Sequence, residues 1–528
     1  MIPQAGFSQS PPKCPGWLLF ILTCLALVLH LWGIRRDLPY IYEIDEPFFV
    51  TPAVNMAATG NLNPGWFGNP GSTVIYPMAA GFRIWRGVVD DVPLLRPNPG
   101  LRQTFERNFA NFYLLGRYLS TAYAVLSLPL IYLLGKRAFN EWTGLAAGFL
   151  FAFYPLAVSH AQYVRTDSAA AFFGLLSLYL CLRAYDQPTL WNHALAGAAI
   201  GLSVSSRYFM VVLIPFLLLL DLHLLWRRPA NTQSRQMLNA ALTGAAVTFV
   251  AFAATTPYFF LDLDTARAGI LQEARSEHLG ADGLSRPGNF LWYLSQAIPE
   301  AISWPQVALV IFGVTLAWRE KQNKQIALLG FVMLFLAGIS LSRLHWARWT
   351  IQILPLLALF AASAMIWVSD HVTASLGLNP RWFLGLVILG AFIAAAQPGY
   401  RLILMNIRQS NPSTRLLARQ WIIENIPQQS KIAFEWYTAP LSGTDFQSTE
   451  WPSLAYDREL GDYLNEGYEY LVVSSAMYAR FFSEPERYEH EVSFYKALFE
   501  GGELLKRFKP TKTRGGPLIQ IYRLQPSQ

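Results

Sequence analysis

The chain has few charged residues and few cysteines. Of its 528 residues, 14% are charged and 53% are hydrophobic, whereas about a quarter of the residues in a soluble domain are charged. The apolar residues are gathered in blocks of about 17–25, the length of a helix that crosses a bilayer. The cysteines are Cys14, Cys24 and Cys181, and they lie in or beside apolar blocks, so no disulfide framework is expected. This composition excludes a soluble globular protein and indicates a polytopic α-helical membrane protein.

Several familiar motifs are also absent from the sequence. It contains no P-loop, HExxH, CxxC or GxSxG motif, so the common nucleotide-binding, zinc-hydrolase, redox and serine-hydrolase signatures do not apply. The net charge of +7 comes from lysines and arginines scattered through loops, where such residues set membrane topology. We therefore expect no nucleic-acid partner. No internal repeat is visible, which weakens the case for an inverted-repeat transporter.

Eleven apolar segments predict about eleven transmembrane helices. We interpret the first, 17–34, as an anchor rather than a cleaved signal peptide, because its apolar core is long and no small-residue cleavage site precedes Arg35-Arg36. Basic residues at alternate boundaries place the loops 35–108 and 259–300, the segment 159–167 and the C-terminus on one outer face. The other ten segments are 112–134, 142–158, 168–184, 193–205, 208–226, 238–258, 303–318, 325–341, 346–368 and 382–396.

The composition changes near Tyr400, where charged residues become more frequent and apolar runs become shorter. Short apolar runs at 432–434, 470–473 and 518–522 predict strands, and the periodicity of 412–425 and 486–499 predicts helices. The sequence thus predicts a transmembrane domain over residues 1–400 and a small α/β domain over residues 401–528, on the outer face.

The loop 35–108 carries the strongest candidate residues. Glu43, Asp45 and Glu46 place three carboxylates in four positions just after the first apolar segment. Carboxylates near the hydrocarbon boundary often mark an ion, proton or substrate site, and a carboxylate there could act as a general base on a hydroxyl. An interfacial salt bridge, or a cap for a helix over 46–59, is the alternative.

A second acidic position follows the third apolar segment. Arg165 and Asp167 stand one residue apart on a short segment of the same face. Asp167 could instead cap the next helix, since an acidic group suits a helix N-terminus. Because two carboxylate positions share one face, we expect Asp45, Asp167 and Arg165 to converge.

Two further groups lie in later outer loops. Glu273, Glu277 and His278 are candidates for a metal site, although a solvated helix would carry the same residues. The cations Arg207, Arg343 and Arg348 suit a phosphate, with lipid-headgroup anchoring as the alternative. The Asp262-x-Asp264 spacing is interpreted as a chance match.

These features together resemble a known family. Asp45-Glu46-Pro47 is similar to the Asp-Glu pair in the first outer loop of GT-C fold membrane glycosyltransferases, in particular the protein O-mannosyltransferase and aminoarabinose transferase group, which is glycosyltransferase family 39-like. The segment 163–167 resembles that family's second acidic motif. Residues 256–262 with 273–280 resemble its long later loop, and residues 348–355 resemble the opening of a later span.

The resemblance implies transfer of a sugar from a polyprenyl-phosphate donor to a protein, lipid or glycan acceptor on the outer face of a bacterial inner membrane. It implies that Asp45 is the base, that Glu46 supports the site and that Asp167 is the second acidic residue. Arg165 and Arg348 would hold the donor phosphate, and Glu273, Glu277 and His278 would be acceptor-side or metal candidates. Members differ in metal dependence, so a divalent cation is left open and no other cofactor is expected. A transporter or flippase of a lipid-linked sugar is the rival class, since charges also line transport paths.

Overall fold

The computed structural model describes residues 16–90, 96–227, 233–379 and 381–524. The chain divides into two compact units. Unit 1 comprises residues 1–34 and 43–402, and unit 2 comprises residues 35–42 and 403–528. Cys14 lies outside the described residues, and Cys24 and Cys181 are free thiols.

Unit 1 is helical. Its helices are, in chain order, α1 (Gly16–Leu31), α2 (Pro47–Thr59), α3 (Ser72–Asp90), α4 (Gly100–Ala138), α5 (Glu141–Ala152), α6 (Pro155–Ala161), α7 (Asp167–Asp186), α8 (Leu190–Ser206), α9 (Leu213–Arg227), α10 (Gln233–Thr255), α11 (Tyr258–Leu261), α12 (Leu263–Glu273), α13 (Arg286–Trp292), α14 (Ile298–Ile302), α15 (Trp304–Arg319), α16 (Asn323–Ser340), α17 (Leu354–Ser375) and α18 (Arg381–Ser410). A 3-10 turn, Tyr208–Val212, precedes α9, and a second, Ala347–Thr350, precedes α17. A π-helical turn, Tyr293–Ala297, joins α13 to α14.

The chain is an integral membrane protein, but the predicted count of eleven spans is not confirmed. Within the described residues, seven helices are long and apolar enough to cross a membrane, and up to nine spans result if each of two bent pairs counts as one. The bends are 67° between α5 and α6, where Pro155 begins α6, and 113° between α14 and α15, where Ser303 has φ +86°. The first and fifth predicted spans are occupied by α1 and α8, which have only 16 and 17 residues.

Small residues allow close helix packing in unit 1. A Cβ on Gly135 of α4 would come within 2.3 Å of the Gly144 Cα in α5, and a Cβ on Gly197 of α8 would come within 2.3 Å of the Gly244 carbonyl oxygen in α10. Within a membrane, such close backbone approach is a main source of helix association because burial of apolar surface gains little there. The first contact fixes α4, which carries Arg117, and the second fixes α8, which Arg207 follows.

Unit 2 contains a five-stranded sheet flanked by helices. Its strands are β1 (Lys431–Glu435), β2 (Gln447–Trp451), β3 (Tyr470–Ser474), β4 (Glu503–Phe508) and β5 (Ile519–Arg523), in the order β2-β1-β3-β5-β4. The strands β2, β1 and β3 are parallel, whereas β5 is antiparallel to β3 and β4. Its helices are α19 (Thr414–Asn425), α20 (Leu460–Asn465), α21 (Ser475–Ser483) and α22 (Glu489–Gly501).

The three strands predicted from apolar runs are observed as β1, β3 and β5, which are largely buried. The strands β2 and β4 were not predicted, because these edge strands contain no fully buried residue and their sequences lack a clear apolar pattern. The outer-face location of this unit stays a prediction.

The segment 35–42 belongs to unit 2, although its sequence was grouped with the first loop of the transmembrane domain. Two arginines of α19 hold it. The Arg419 Nε donates a hydrogen bond to the Tyr40 hydroxyl at 2.7 Å, and the Arg415 guanidinium lies 4.7 Å from the centre of the Tyr42 ring. Cation–π contacts between residues far apart in sequence leave no local pattern, so the sequence could not show this association.

A buried carboxyl group lies at the end of β1. The Glu435 carboxyl accepts hydrogen bonds from the Ser474 amide at 2.7 Å and from the Tyr495 hydroxyl at 2.6 Å. Burial is the largest influence on this group and raises the pKa of Glu435 to about 8.

The stability of unit 2 is expected to fall as the pH rises from about 5 to about 8. In that interval the folded unit keeps a proton on Glu435 that the unfolded chain has released, so each increase in pH favours unfolding; outside the interval the contribution is constant. Hydrogen exchange of the β1 and β3 amides in the full chain, corrected for intrinsic exchange, measures this change. Glu435→Gln should abolish the pH dependence, and stability that rises across the interval would contradict the assignment.

Candidate active site

The turn before α2 is anchored by Glu46. This residue is fully buried, and its two carboxylate oxygens accept hydrogen bonds from the Arg117 Nε at 2.9 Å and the Arg117 Nη2 at 2.8 Å. The Val164 amide donates to Glu46 Oε1 at 2.9 Å, and Arg117 Nη1 donates to the Ile34 carbonyl at 2.9 Å. Glu46 therefore joins the start of α2 to α4 and to the segment before α7. These bonds also fix the position of the backbone at the adjacent Asp45.

The Asp45 carboxylate lies between two arginines. Its Oδ2 atom is 3.0 Å from Arg165 Nη1 and 3.0 Å from Arg348 Nη1, and the side chain remains 39% exposed. Burial alone would raise the pKa of Asp45, but the positive charges of Arg165 and Arg348 outweigh burial and hold this pKa below its usual value. Asp45 is thus an ionised carboxylate that solvent can reach.

Asp167 and Arg207 extend this group. Asp167 begins α7 and is fully buried, and its Oδ1 lies 3.3 Å from Arg207 Nη2. The Arg207 Nε also donates to Thr166 Oγ1 at 2.9 Å. Asp167 interacts electrostatically with Arg165 and Arg348 as well.

Glu43 completes the set through an ion pair with Arg165 Nη2. We call these side chains the carboxylate–arginine cluster: Glu43, Asp45, Arg165, Asp167, Arg207 and Arg348.

The helix ends explain why these residues meet. Arg165 and Asp167 lie at the start of α7, Arg207 follows the last residue of α8, and Arg348 lies in the 3-10 turn before α17. The Arg348 guanidinium is 4.9 Å from the centre of the Trp346 ring, which orients it towards Asp45. The structure therefore brings Asp45, Asp167 and Arg165 together, as the sequence-based geometry expected.

The loop 259–300 packs on residues of the first loop. The Asn63 side-chain amide donates to Asp262 Oδ2 at 2.7 Å, and Gly269 of α12 lies against the backbone of Phe67 and Gly68. Asp262 also caps α12, which gives it a structural role and fits the interpretation of Asp262-x-Asp264 as a chance match.

Of the residues predicted in this loop, His278 contacts a ring that also contacts the cluster. The centre of its ring is 4.8 Å from the centre of the Trp346 ring, and the Arg348 guanidinium packs on that same Trp346 ring. Glu273 lies at the end of α12, 3.7 Å from Arg275, and Glu277 is exposed. Arg343 is also exposed, and no described ion pair joins it to the cluster.

The described part of the chain contains no group of three or more His, Cys, Asp or Glu side chains placed to hold a metal ion. Two guanidiniums already flank the Asp45 carboxylate, so a divalent cation there would meet positive charge. Two buried donor atoms of the cluster, Arg165 Nε and Arg348 Nε, have no hydrogen-bond acceptor, and Arg165 Nη1 has only the ion-pair contact with Asp45 Oδ2. Guanidinium donors of this kind suit the oxygens of a phosphate group, so the arrangement fits an anion.

Sequence reasoning missed Arg117 and gave Glu43 no role of its own. Arg117 is a single arginine on an apolar stretch of α4 and is 1% exposed. A buried charge within a membrane helix requires a partner, so this position could have been recognised as the counter-ion of a loop carboxylate. Glu46 is that partner, 71 residues away, and nothing local in the sequence indicates that these two residues pair.

Known proteins share both sequence and fold with this chain. Residues 113–258 match the family model described as dolichyl-phosphate-mannose-protein mannosyltransferase. A curated relative from Pseudomonas fluorescens, undecaprenyl phosphate-alpha-4-amino-4-deoxy-L-arabinose arabinosyl transferase 1, is 26% identical over 262 residues. That match covers 48% of this chain and 45% of the relative, so it spans less than half of either protein.

Solved structures resemble the chain over a greater length. ArnT from Cupriavidus metallidurans bound to undecaprenyl phosphate matches with a TM-score of 0.53 and 12% identity, covering 98% of this chain and 100% of ArnT. The Archaeoglobus fulgidus oligosaccharyltransferase matches with a TM-score of 0.51 and 13% identity, covering 92% of this chain and 73% of that enzyme.

The fold is that of the GT-C membrane glycosyltransferases. The resemblance to the protein O-mannosyltransferase and aminoarabinose transferase group, which was inferred from Asp45-Glu46-Pro47 and the segment 163–167, is confirmed by these matches.

Proposed function

We propose that this protein transfers a sugar from a polyprenyl-phosphate donor to an acceptor hydroxyl, by direct displacement with inversion at the anomeric carbon. The single observation that carries this proposal is the arrangement of Asp45 with Arg165 and Arg348. It places an ionised, accessible carboxylate beside guanidinium donors that lack acceptors. A carboxylate and a phosphate-binding pair are the two groups that such a reaction requires.

The reaction assigns a step to each group. Asp45 takes the proton of the acceptor hydroxyl as its oxygen forms a bond to the anomeric carbon. The bond between that carbon and the donor phosphate oxygen breaks, and its electron pair remains on the phosphate. Arg165 and Arg348 stabilise the charge that develops on the phosphate. Asp45 later releases its proton to water, which restores the carboxylate.

The other cluster residues support these two functions. Asp167 and Arg207 form a buried ion pair beside Arg165 and Arg348. The negative charge of Asp167 offsets part of the positive charge of these arginines. Glu46 acts as a positioning residue, because both of its oxygens are engaged. His278 is proposed to lie on the acceptor side, next to Trp346.

The family description and the relatives name a dolichyl or undecaprenyl phosphate, which supports a polyprenyl-phosphate sugar as the donor. A protein, a lipid or a glycan is the acceptor. We place the enzyme in a bacterial inner membrane with the cluster facing the periplasm, in agreement with the sequence-based topology.

The distribution of buried charge favours a transferase over a flippase. The cluster lies at the C-terminal end of α8, which Arg207 follows. In the other half of α8, His193 Nε2 lies 3.0 Å from Asp221 Oδ1 of α9, so these two polar groups are paired with each other. A transport path would require polar groups that continue through the bilayer midplane.

The test uses purified protein in sealed vesicles supplied with an undecaprenyl-phosphate-linked sugar on one face and candidate acceptors on the same face. Sugar transfer and release of undecaprenyl phosphate, without movement of donor across the bilayer, is the expected result. Donor that crosses the bilayer without any transfer would overturn the proposal in favour of the flippase.

Arg348→Gln is expected to lower turnover roughly a hundredfold, the cost of one lost donor to developing charge. Arg343→Gln is the matched control, because Arg343 is an exposed arginine only five positions away. Its turnover should stay close to that of the unmodified enzyme. The measurement is the rate of release of undecaprenyl phosphate at saturating donor, and equal losses in the two variants would contradict the assignment of Arg348.

A further inference from the structure

The Asp45 carboxylate contacts both arginines to which the proposed function assigns the donor phosphate. One carboxylate oxygen therefore occupies a position that a phosphate oxygen must take. This inference rests on the proposed function and concerns how the same site is kept inactive until the donor binds.

The arginine donors are covered in this arrangement. Arg165 Nε, Arg165 Nη1 and Arg348 Nε expose almost no surface, and the two Nε atoms have no hydrogen-bond acceptor. Arg165 Nη1 is the atom that lies 3.0 Å from Asp45 Oδ2. A phosphate oxygen can therefore reach this nitrogen only if Asp45 moves away.

The chemistry leads to the same conclusion. In a direct displacement, the attacking oxygen and the leaving oxygen lie on opposite sides of the anomeric carbon. The carboxylate oxygen that takes the proton must face the attacking hydroxyl, on the side of the anomeric carbon away from the arginines that hold the leaving phosphate. The observed position of Asp45 is therefore not its catalytic position.

The turn is built so that Asp45 can move while its neighbour stays. The Asp45 side chain is 39% exposed and is held by Arg165 and by Arg348, whose Nη1 donates a hydrogen bond to its Oδ2 at 3.0 Å. Glu46 is fully buried and fixed by three hydrogen bonds. A rotation of the Asp45 side chain would free both arginines without disturbing the backbone anchor.

We propose that Asp45 occupies the phosphate position in the empty enzyme, and that the donor phosphate displaces it and so releases the base. The ligand class is a phosphate ester on a polyprenyl chain. The donor must therefore bind before the acceptor hydroxyl can be deprotonated, which protects the base from unproductive use. The same contact makes Asp45 a competitor of the lipid phosphate.

The test compares binding of undecaprenyl phosphate to the full-length protein and to two variants that each remove one negative charge beside Arg165. Asp45→Asn should bind undecaprenyl phosphate about tenfold more tightly than the unmodified protein, a factor expected from loss of one close charge contact. Glu43→Gln is the matched control, because Glu43 pairs with Arg165 but has no described contact with Arg348. The gain in affinity for undecaprenyl phosphate should be clearly smaller for Glu43→Gln than for Asp45→Asn.

Undecaprenol and inorganic phosphate serve as further probes. Undecaprenol should bind all three proteins equally, since it has no charge to compete with Asp45. A gain for Asp45→Asn with inorganic phosphate as well would show that the phosphate, rather than the chain, displaces the carboxylate. An affinity of Asp45→Asn that is unchanged, or no higher than that of Glu43→Gln, would overturn the displacement.

The outcome is separable from that of the proposed function. If Asp45→Asn loses transfer without any gain in lipid-phosphate affinity, Asp45 remains the base and the displacement is wrong. If the variant binds more tightly but still transfers sugar at the normal rate, the displacement holds and the assignment of the base is wrong.

Discussion

Asp45→Asn is expected to lower the rate of sugar transfer about a thousandfold, within the range of 10²–10⁴ for loss of a general base. Asparagine keeps the shape of the side chain but cannot accept the proton of the acceptor hydroxyl. The measurement is single-turnover transfer from an undecaprenyl-phosphate-linked sugar at saturating donor, so that the change in donor affinity does not enter the rate.

The matched control for this variant is Asp264→Asn. Asp264 is an exposed aspartate in the first turn of α12, and its replacement should leave transfer unchanged. Thermal denaturation of both variants checks that each is folded. A folded Asp45→Asn enzyme with transfer near that of the unmodified protein would rule out Asp45 as the base.

Glu46→Gln is expected to destabilise unit 1 by about 3–5 kcal/mol, the usual cost of removing one partner of a buried ion pair. Glu46 and Arg117 are 0% and 1% exposed and lie 2.8 Å apart. The substitution leaves the Arg117 guanidinium buried without a negative charge. The thermal denaturation midpoint in lipid nanodiscs should fall sharply, and transfer should be lost because the Asp45 turn loses its anchor.

Two further variants show whether the ion pair is the cause. Glu141→Gln removes one partner of the exposed pair with Lys136, which are 33% and 53% exposed, and should cost no more than about 1 kcal/mol. Replacing Glu46 and Arg117 together by leucine should restore part of the stability, since no unpaired charge remains. Equal midpoints for Glu46→Gln and Glu141→Gln would contradict the role of Glu46 as an anchor.

The residue types of the site could be predicted from the sequence, whereas its pairings could not. Asp45, Arg165 and Asp167 each stand at the end of an apolar segment on one predicted face, so their convergence follows from topology. The contact between Arg348 and Asp45 joins residues 303 positions apart, and nothing local indicates it. Arg343 and Arg348 looked equivalent, because the 3-10 turn that directs only Arg348 inward is a tertiary feature.

The helical class and three of the strands were predicted from apolar patterns, but the number of spans was not. Hydropathy measures the length of an apolar run, and it does not show whether the helix inside it is straight. The bend at Pro155 divides the predicted run 142–158, and the bend at Ser303 separates the run 303–318 from helical residues that were predicted as loop. The membership of residues 35–42 in unit 2 depends on contacts with Arg415 and Arg419, which no sequence period reveals.

The central claim is that this chain moves a sugar from a lipid phosphate with inversion. The most direct measurement is the anomeric configuration of the product, determined by NMR after transfer from an undecaprenyl-phosphate sugar of known configuration by the purified enzyme. A product of opposite configuration, formed in equal amount with free undecaprenyl phosphate, is predicted. A product of retained configuration, or no release of undecaprenyl phosphate in the presence of any acceptor class, would contradict the claim.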